Sequence, residues 1–271
     1  MQIAQALTEA RSLGVARLDA QLLLAHLLRR GREWVIAHDE AGLTPAQAAV
    51  WQALLARRAA GEPLAYLVGE REFHGLALQV SSAVLVPRPE TELLVDWALE
   101  RLPGASSATV IDLGTGSGAV ALAIKHRSPA TAVTATDLSA AALAVAQANA
   151  ARHGLVIEFV LGDWWGAVAG RRFGLAVANP PYIAGDDAHL VALRHEPRGA
   201  LTPGGDGLAA LRRLIDEAPT HLQSGAWLLL EHGHDQADAV QALLHQRGFG
   251  APETRHDLAG LARCTGAQWP R

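Results

Sequence analysis

Through about Leu67 the apolar positions recur at helical spacing: Ile3 and Leu7, then Leu18, Leu22 and Leu23, Trp34 with nearby Ile36, and Val50 with Leu54 beside Trp51 with Leu55. Thr44-Pro45-Ala46-Gln47 marks a helix start, with Thr44 as N-cap, Pro45 in the first turn and Gln47 placed to complete a capping box; Gly61 ends that helix. Residues 1–70 therefore read as a small helical domain whose apolar positions form its core. The spacing then shortens. Leu76, Leu78 and Val80 alternate with Ala77 and Gln79, and Val84 and Val86 follow Ser81-Ser82, which predicts a β-hairpin within a linker, residues 71–87. Pro87 and Pro89 stiffen its exit, and a helix follows from near Glu90 through Leu93, Leu94, Trp97 and Ala98.

Beyond Thr109 short apolar runs alternate with helical patterns, the mark of a mostly parallel sheet covered on both faces. Strands are predicted near 109–113, 132–137, 157–161, 174–179, 226–231, 253–257 and 262–268. Only Asp257 to Leu261 separates the last two, so they should pair as a hairpin. Residues 88–271 make up this α/β domain.

The first of these strands, ending in Asp112-Leu113, runs into Gly114-Thr115-Gly116-Ser117-Gly118 and then a helical pattern. Glycines allow positive φ and close approach of a ligand to the backbone, and a helix start presents free N–H groups. Asp137 closes the next strand about twenty residues on, where an acid accepts ribose hydroxyls. An adenosine-containing cofactor is expected. Gly114, Gly116 and Ala119 also satisfy the G-x-G-x-x-A dinucleotide pattern, which keeps a nicotinamide reading open. S-adenosylmethionine is favoured by Gly118, one place early for that pattern, and by Asp112, placed to face a methionyl ammonium. In Gly162-Asp163-Trp164-Trp165, Asp163 suits the adenine amino group and Trp164 is the better candidate to cover the base; Trp165 reads as a core anchor.

Asn179-Pro180-Pro181-Tyr182 directly follows the run Phe173 to Ala178. Two prolines cannot continue a strand, so the backbone leaves the sheet stiffly with carbonyls unpaired. The Asn179 side-chain oxygen, the Pro180 carbonyl and the flat face of Tyr182 together suit a planar group bearing an –NH2. The pattern describes a methyl donor facing a nitrogen acceptor.

Val86-Pro87-Arg88-Pro89-Glu90-Thr91-Glu92, Arg71-Glu72-Phe73, Leu230-Glu231-His232-Gly233, the Asp112 to Gly118 turn and the Asn179 to Tyr182 clamp occur in the order found in the HemK/PrmC family, which this chain resembles over nearly its whole length. Leu18-Asp19-Ala20 and Gly61-Glu62-Pro63-Leu64-Ala65-Tyr66 resemble that family's amino-terminal helical domain; Leu261 to Gly266 departs from its more polar pattern. The resemblance implies a class I methyltransferase (Rossmann-like) α/β fold with an antiparallel last strand. It implies S-adenosylmethionine-dependent methylation of glutamine in class 1 peptide chain release factors, which the helical domain would contact. Asn179, Pro180 and Tyr182 are the expected catalytic residues, with Pro181 joining them at the substrate. Asp112, Gly114, Thr115, Gly116, Ser117, Gly118, Asp137, Asp163, Trp164 and Asn179 are expected at the cofactor. Arg88 and Glu90 are placed near the cleft, and the aperiodic stretch Ile183 to Gly205, with Arg194-His195-Glu196-Pro197 inside it, reads as a lid.

The clamp also serves enzymes that methylate adenine or guanine amino groups, but with a net charge of −4 and Lys125 as the sole lysine the chain has no basic tract for a phosphate backbone. No direct nucleic-acid substrate is expected, and a non-enzymatic binding role fits least. A single cysteine, Cys264, and the lack of a membrane-length apolar run place the chain in the cytoplasm, as an expected monomer. Glu231-His232-Gly233-His234-Asp235 offers metal-ligating types without a second cluster at metal-site spacing, so no metal is expected.

Overall fold

The computed structural model describes residues 1–102 and 108–270; residues 103–107 and 271, within the expected catalytic domain, lie outside it. It divides into two compact units, Met1–Glu70 and Arg71–Arg271. Among the described residues no helix is long and apolar enough to cross a membrane.

The first unit holds α1 (Ile3–Ser12), α2 (Arg17–Leu28), α3 (Arg32–Ala37), α4 (Pro45–Ala59) and α5 (Leu64–Val68). The capping box forms as the sequence predicts: Gln47 N–H donates to the Thr44 hydroxyl at 3.2 Å, and Thr44 N–H donates to the Gln47 side chain at 2.9 Å. Ile3, Leu23, Leu24, Trp51 and Leu55 are fully buried. Leu18, Ile36 and Val50 are not; each is about half exposed, so the apolar faces are wider than the core they enclose.

A hairpin opens the second unit, though not in the expected register. Its strands are β1 (Glu70–Phe73) and β2 (Leu76–Gln79). The turn sits at His74-Gly75, both at positive φ (50° and 81°), as a two-residue hairpin turn demands. Ser81-Ser82 is therefore not the hairpin turn. Val80, Val84 and Val86 are buried, but in an irregular segment, so their alternation reports burial without strand pairing.

A short 3-10 turn, Pro89–Thr91, leads into α6 (Glu92–Arg101). Then come β3 (Thr109–Leu113), α7 (Ala119–Arg127), β4 (Ala132–Asp137), α8 (Ala140–Arg152), β5 (Glu158–Leu161) and β6 (Phe173–Ala178). They are followed by α9 (His189–Ala192), α10 (Arg198–Leu201), α11 (Ala209–Glu217), β7 (Leu222–Glu231), α12 (Ala237–Arg247), β8 (Glu253–His256) and β9 (Ala262–Gln268). The described strands order as β5-β4-β3-β6-β7-β9-β8. β9 runs antiparallel to β7 and to β8, while the pairings from β5 to β7 are parallel. This is the expected α/β class, closed by the expected antiparallel hairpin. β7 begins four residues before the predicted start, because a register shift opposite Phe173 and Leu175 lets the polar Gln223-Ser224 join the strand.

Apolar clusters fill both faces. One packs α6 and α7 on the sheet around Trp97, Leu94, Leu122 and Ile124; the other packs α11 and α12 around Trp165, Leu211, Leu214 and Leu244. With both faces covered, a ligand is expected at the carboxyl ends of the strands, between β3 and β6 where the chain order reverses.

Candidate active site

At those strand ends lies a cavity of about 370 Å³. That is within the usual range for small-molecule sites, roughly 300–1,000 Å³. All of its lining comes from the Arg71–Arg271 unit.

The glycine turn forms its floor. Gly114, Gly116 and Gly118 all take positive φ. The turn is tied to the neighbouring strand, since Gly114 and Thr115 both donate to the Thr136 carbonyl, at 2.9 and 2.8 Å. Gly114, Thr115, Gly116 and Ser117 line the cavity. Gly118 does not: it begins α7, and a side chain there would meet Leu122 and Ala146, so its smallness serves helix packing. From α8, buried Asn149 fixes the turn from behind, its amide donating to the Ser117 and Gln79 carbonyls at 2.9 and 3.0 Å.

Two acids flank the floor. Asp112 is buried yet reaches the cavity; its Oδ2 accepts from the Thr115 hydroxyl at 2.6 Å and from Ala121 N–H at 3.2 Å. Burial pushes its pKa up to about 6, against the pull of those two donors, with nearby Asp137 adding to the rise. An acid desolvated in this way gains most when a cation settles beside it. Asp137, also on the wall, accepts from Gly116 N–H at 2.9 Å on one oxygen and from Ser139 N–H at 2.8 Å on the other. These bonds lock the carboxylate in place while each oxygen keeps a lone pair for hydroxyls.

Trp164 and Asp163 close one end. Trp164 adopts φ 47°, rare for a bulky side chain, and its ring sits where a side chain on Gly114 would fall, at 2.8 Å. Asp163 lines the cavity but is already paired with Arg213 at 2.6 Å. Trp165 is buried, stacked on His221 and donating to the Leu214 carbonyl at 2.9 Å. Leu138, 73% exposed, also lines the cavity, a position the sequence reading left unassigned.

The clamp divides. Asn179 and Pro181 reach the cavity wall, whereas Pro180 is buried and Tyr182 packs into the α11–α12 core cluster. The Asn179 amide nitrogen donates to the buried Thr91 hydroxyl at 3.2 Å, leaving its carbonyl oxygen as the end that can accept. The Tyr182 hydroxyl donates to Glu231 at 3.4 Å, and its carbonyl accepts from the Gln236 side chain at 3.0 Å. Burial, then the charge of Glu231, pushes the phenol pKa well above its usual value.

Thr91 was missed beside the site, and Glu196 was named within the expected lid without a role. Glu196 is buried; its carboxylate accepts from Val86 N–H at 3.0 Å and from the Arg88 guanidinium at 2.5 Å. It thereby straps the 183–205 stretch to the segment carrying Val84, Leu85, Pro87 and Arg88, which lines the cavity together with Pro197, Gly199 and Ala200. Within that stretch Ile183 N–H is bonded to the Leu201 carbonyl and Gly185 N–H to the Gly205 carbonyl. His232 is buried, with Nε2 against the Thr265 hydroxyl at 2.7 Å and Nδ1 against the Gly233 carbonyl at 2.8 Å.

Comparison with known proteins places the chain among methyltransferases. Residues 1–69 match the PrmC N-terminal domain and residues 90–213 the methyltransferase small domain. A release factor glutamine methyltransferase of Bordetella pertussis is 52% identical over 256 residues, spanning 93% of this chain and 95% of that protein. One from Xylella fastidiosa is 50% identical over 268 residues, 98% of each chain. Among solved structures, a methyltransferase from Pyrococcus furiosus shares the fold, with a TM-score of 0.57 at 17% identity over 73% of this chain and 90% of that one.

Proposed function

Since this chain belongs to the family of release factor glutamine methyltransferases, we propose that it methylates the side-chain amide nitrogen of the glutamine in the Gly-Gly-Gln motif of class 1 peptide chain release factors. S-adenosylmethionine is the cofactor, and when bound it supplies an electrophilic methyl group on a sulfonium centre. The residues fit it. Asp112, desolvated and facing the cavity, would take the methionyl ammonium; Asp137 would take the ribose hydroxyls; Asp163 and Trp164 would hold the base.

The observation that carries the reading is Asn179: its side-chain oxygen is left to accept, on the wall of the same cavity as the glycine turn. An amide nitrogen is a poor nucleophile because its lone pair is delocalised into the carbonyl. Accepting its N–H groups on the Asn179 oxygen and the Pro180 carbonyl would fix the nitrogen and enrich that lone pair, with Pro181 on the cavity wall and Tyr182 anchoring the clamp from the core. No strong base is required beforehand, since the amide is acidic once methylated. We place the work in the cytoplasm, done by a monomer, with residues 1–70 contacting the release factor and residues 88–271 carrying the chemistry.

Transfer of labelled methyl from S-adenosylmethionine to a purified class 1 release factor, run against total RNA and DNA, tests this. Label should enter the factor and vanish when the Gly-Gly-Gln glutamine is replaced. Label entering RNA or DNA instead would overturn it.

A further inference from the structure

Glu231 ends β7, and the register that sets Ala178 beside Leu230 brings Asn179 and Glu231 to the same level on neighbouring strands. Glu231 is 1% exposed and does not line the cavity. Among the described residues its Oε2 has no hydrogen-bond partner, and its Oε1 accepts from the Tyr182 hydroxyl at 3.4 Å. The Thr91 hydroxyl also faces this carboxyl and favours its charged form, as Tyr182 does. Thr91 in turn accepts the Asn179 amide nitrogen at 3.2 Å. A carboxyl kept out of water with so few bonds is an expensive way to fill space. What it faces is specific: the hydroxyl of Tyr182, within the clamp, and that of Thr91, which holds Asn179.

We infer that Glu231 is the positioning residue of the acceptor clamp, holding Tyr182 directly and, through the Thr91 hydroxyl, fixing the Asn179 amide so that its oxygen faces the cavity. Thr91 can accept from Asn179 in the right direction only if its own proton points elsewhere, and the Glu231 carboxyl is an acceptor beside it. The side-chain amide of Asn179 is otherwise symmetric in shape, so its orientation rests on this chain of groups. The inference rests on the proposed function for its kinetic readout and on the geometry alone for its structural one.

The test compares Glu231→Leu, Glu231→Gln and Thr91→Val with the wild type. With release factor as acceptor, Glu231→Leu and Thr91→Val should each lower kcat at least 30-fold while S-adenosylmethionine affinity stays within twofold. Glu231→Gln, keeping one acceptor oxygen, should recover part of the loss. The Glu231→Leu/Thr91→Val double variant should be no slower than the worse single variant, since both break one chain of contacts. Crystal structures of the Thr91→Val and Glu231→Gln proteins give the second readout: the Asn179 side chain should leave its orientation in Thr91→Val. Folded variants that retain kcat within threefold, losses that add in the double variant, or an Asn179 unmoved in Thr91→Val would each overturn the inference. A wild type that leaves the release factor unlabelled would instead sink the proposed function, and the crystal structures would still decide the role of Glu231.

Discussion

The ends of β3 and β7 each carry a buried carboxyl, and the two are completed in different ways. Asp112 has two donors on one oxygen and an opening to the cavity on its other side. Glu231 does not line the cavity, and among the described residues only one of its oxygens has a hydrogen-bond partner. Burial, the largest cause for both, raises Asp112 to about 6 and Glu231 to about 7. The lesson is one of supply: a bound cation can compensate Asp112, whereas Glu231 must be compensated by the fold itself. The first is open to a ligand, and the second is the brace we infer.

The sharpest way to break this contrast is Asp112→Asn. It should weaken S-adenosylmethionine binding by about 2–5 kcal/mol, the usual loss when one partner of a desolvated charge pair is removed. Calorimetry giving unchanged affinity would move the ammonium elsewhere. Asn179→Ala should instead raise the barrier to transfer by about 2–4 kcal/mol, as for loss of an oxyanion-hole donor, and leave cofactor affinity alone. Normal turnover would remove Asn179 from the clamp.

Stability against pH separates the two carboxyls from ordinary ones. Each has a folded pKa above its unfolded value, so the folded state holds more protons, and stability falls as pH rises from about 4 to 6 for Asp112 and from about 4.5 to 7 for Glu231. Asp112→Asn and Glu231→Gln should therefore gain about 2–3 kcal/mol over wild type at pH 8 and little near pH 4. Denaturant melts at the two pH values would show it, and equal gains at both would mean the charges are not penalised. The smallest effect belongs to Arg213→Ala: its pair with Asp163 is half exposed, so cofactor affinity should change by less than about 1 kcal/mol.

What could be read ahead of the structure follows sequence distance. Asp112, Thr115 and the glycines lie within one turn, and Asp137 meets Gly116 from the end of the next strand, so local pattern and strand spacing suffice to place them together. The sheet class was legible for the same reason, each strand announcing itself by its own apolar run. Thr91 meets Asn179 across 88 residues and Glu196 meets Val86 across 110. No periodicity encodes such pairings; only the folded sheet brings them together. The hairpin was misplaced because Val80, Val84 and Val86 bury without pairing, while the true turn hides in the unremarkable pair His74-Gly75. Leu18, Ile36 and Val50 erred the other way, apolar by pattern and exposed in fact.

Behind Tyr182, Gly207 sits at φ 79° with no room for a side chain: a methyl group there would stand 2.2 Å from the Tyr182 carbonyl oxygen. The backbone that carries the acceptor side thus leans on a bare spot of chain as a wheel leans on a chock. Enlarging that spot by a single carbon would press on the Tyr182 backbone from the rear, so among the described glycines of Arg71–Arg271 the tightest tolerance is set by an atom that is not there.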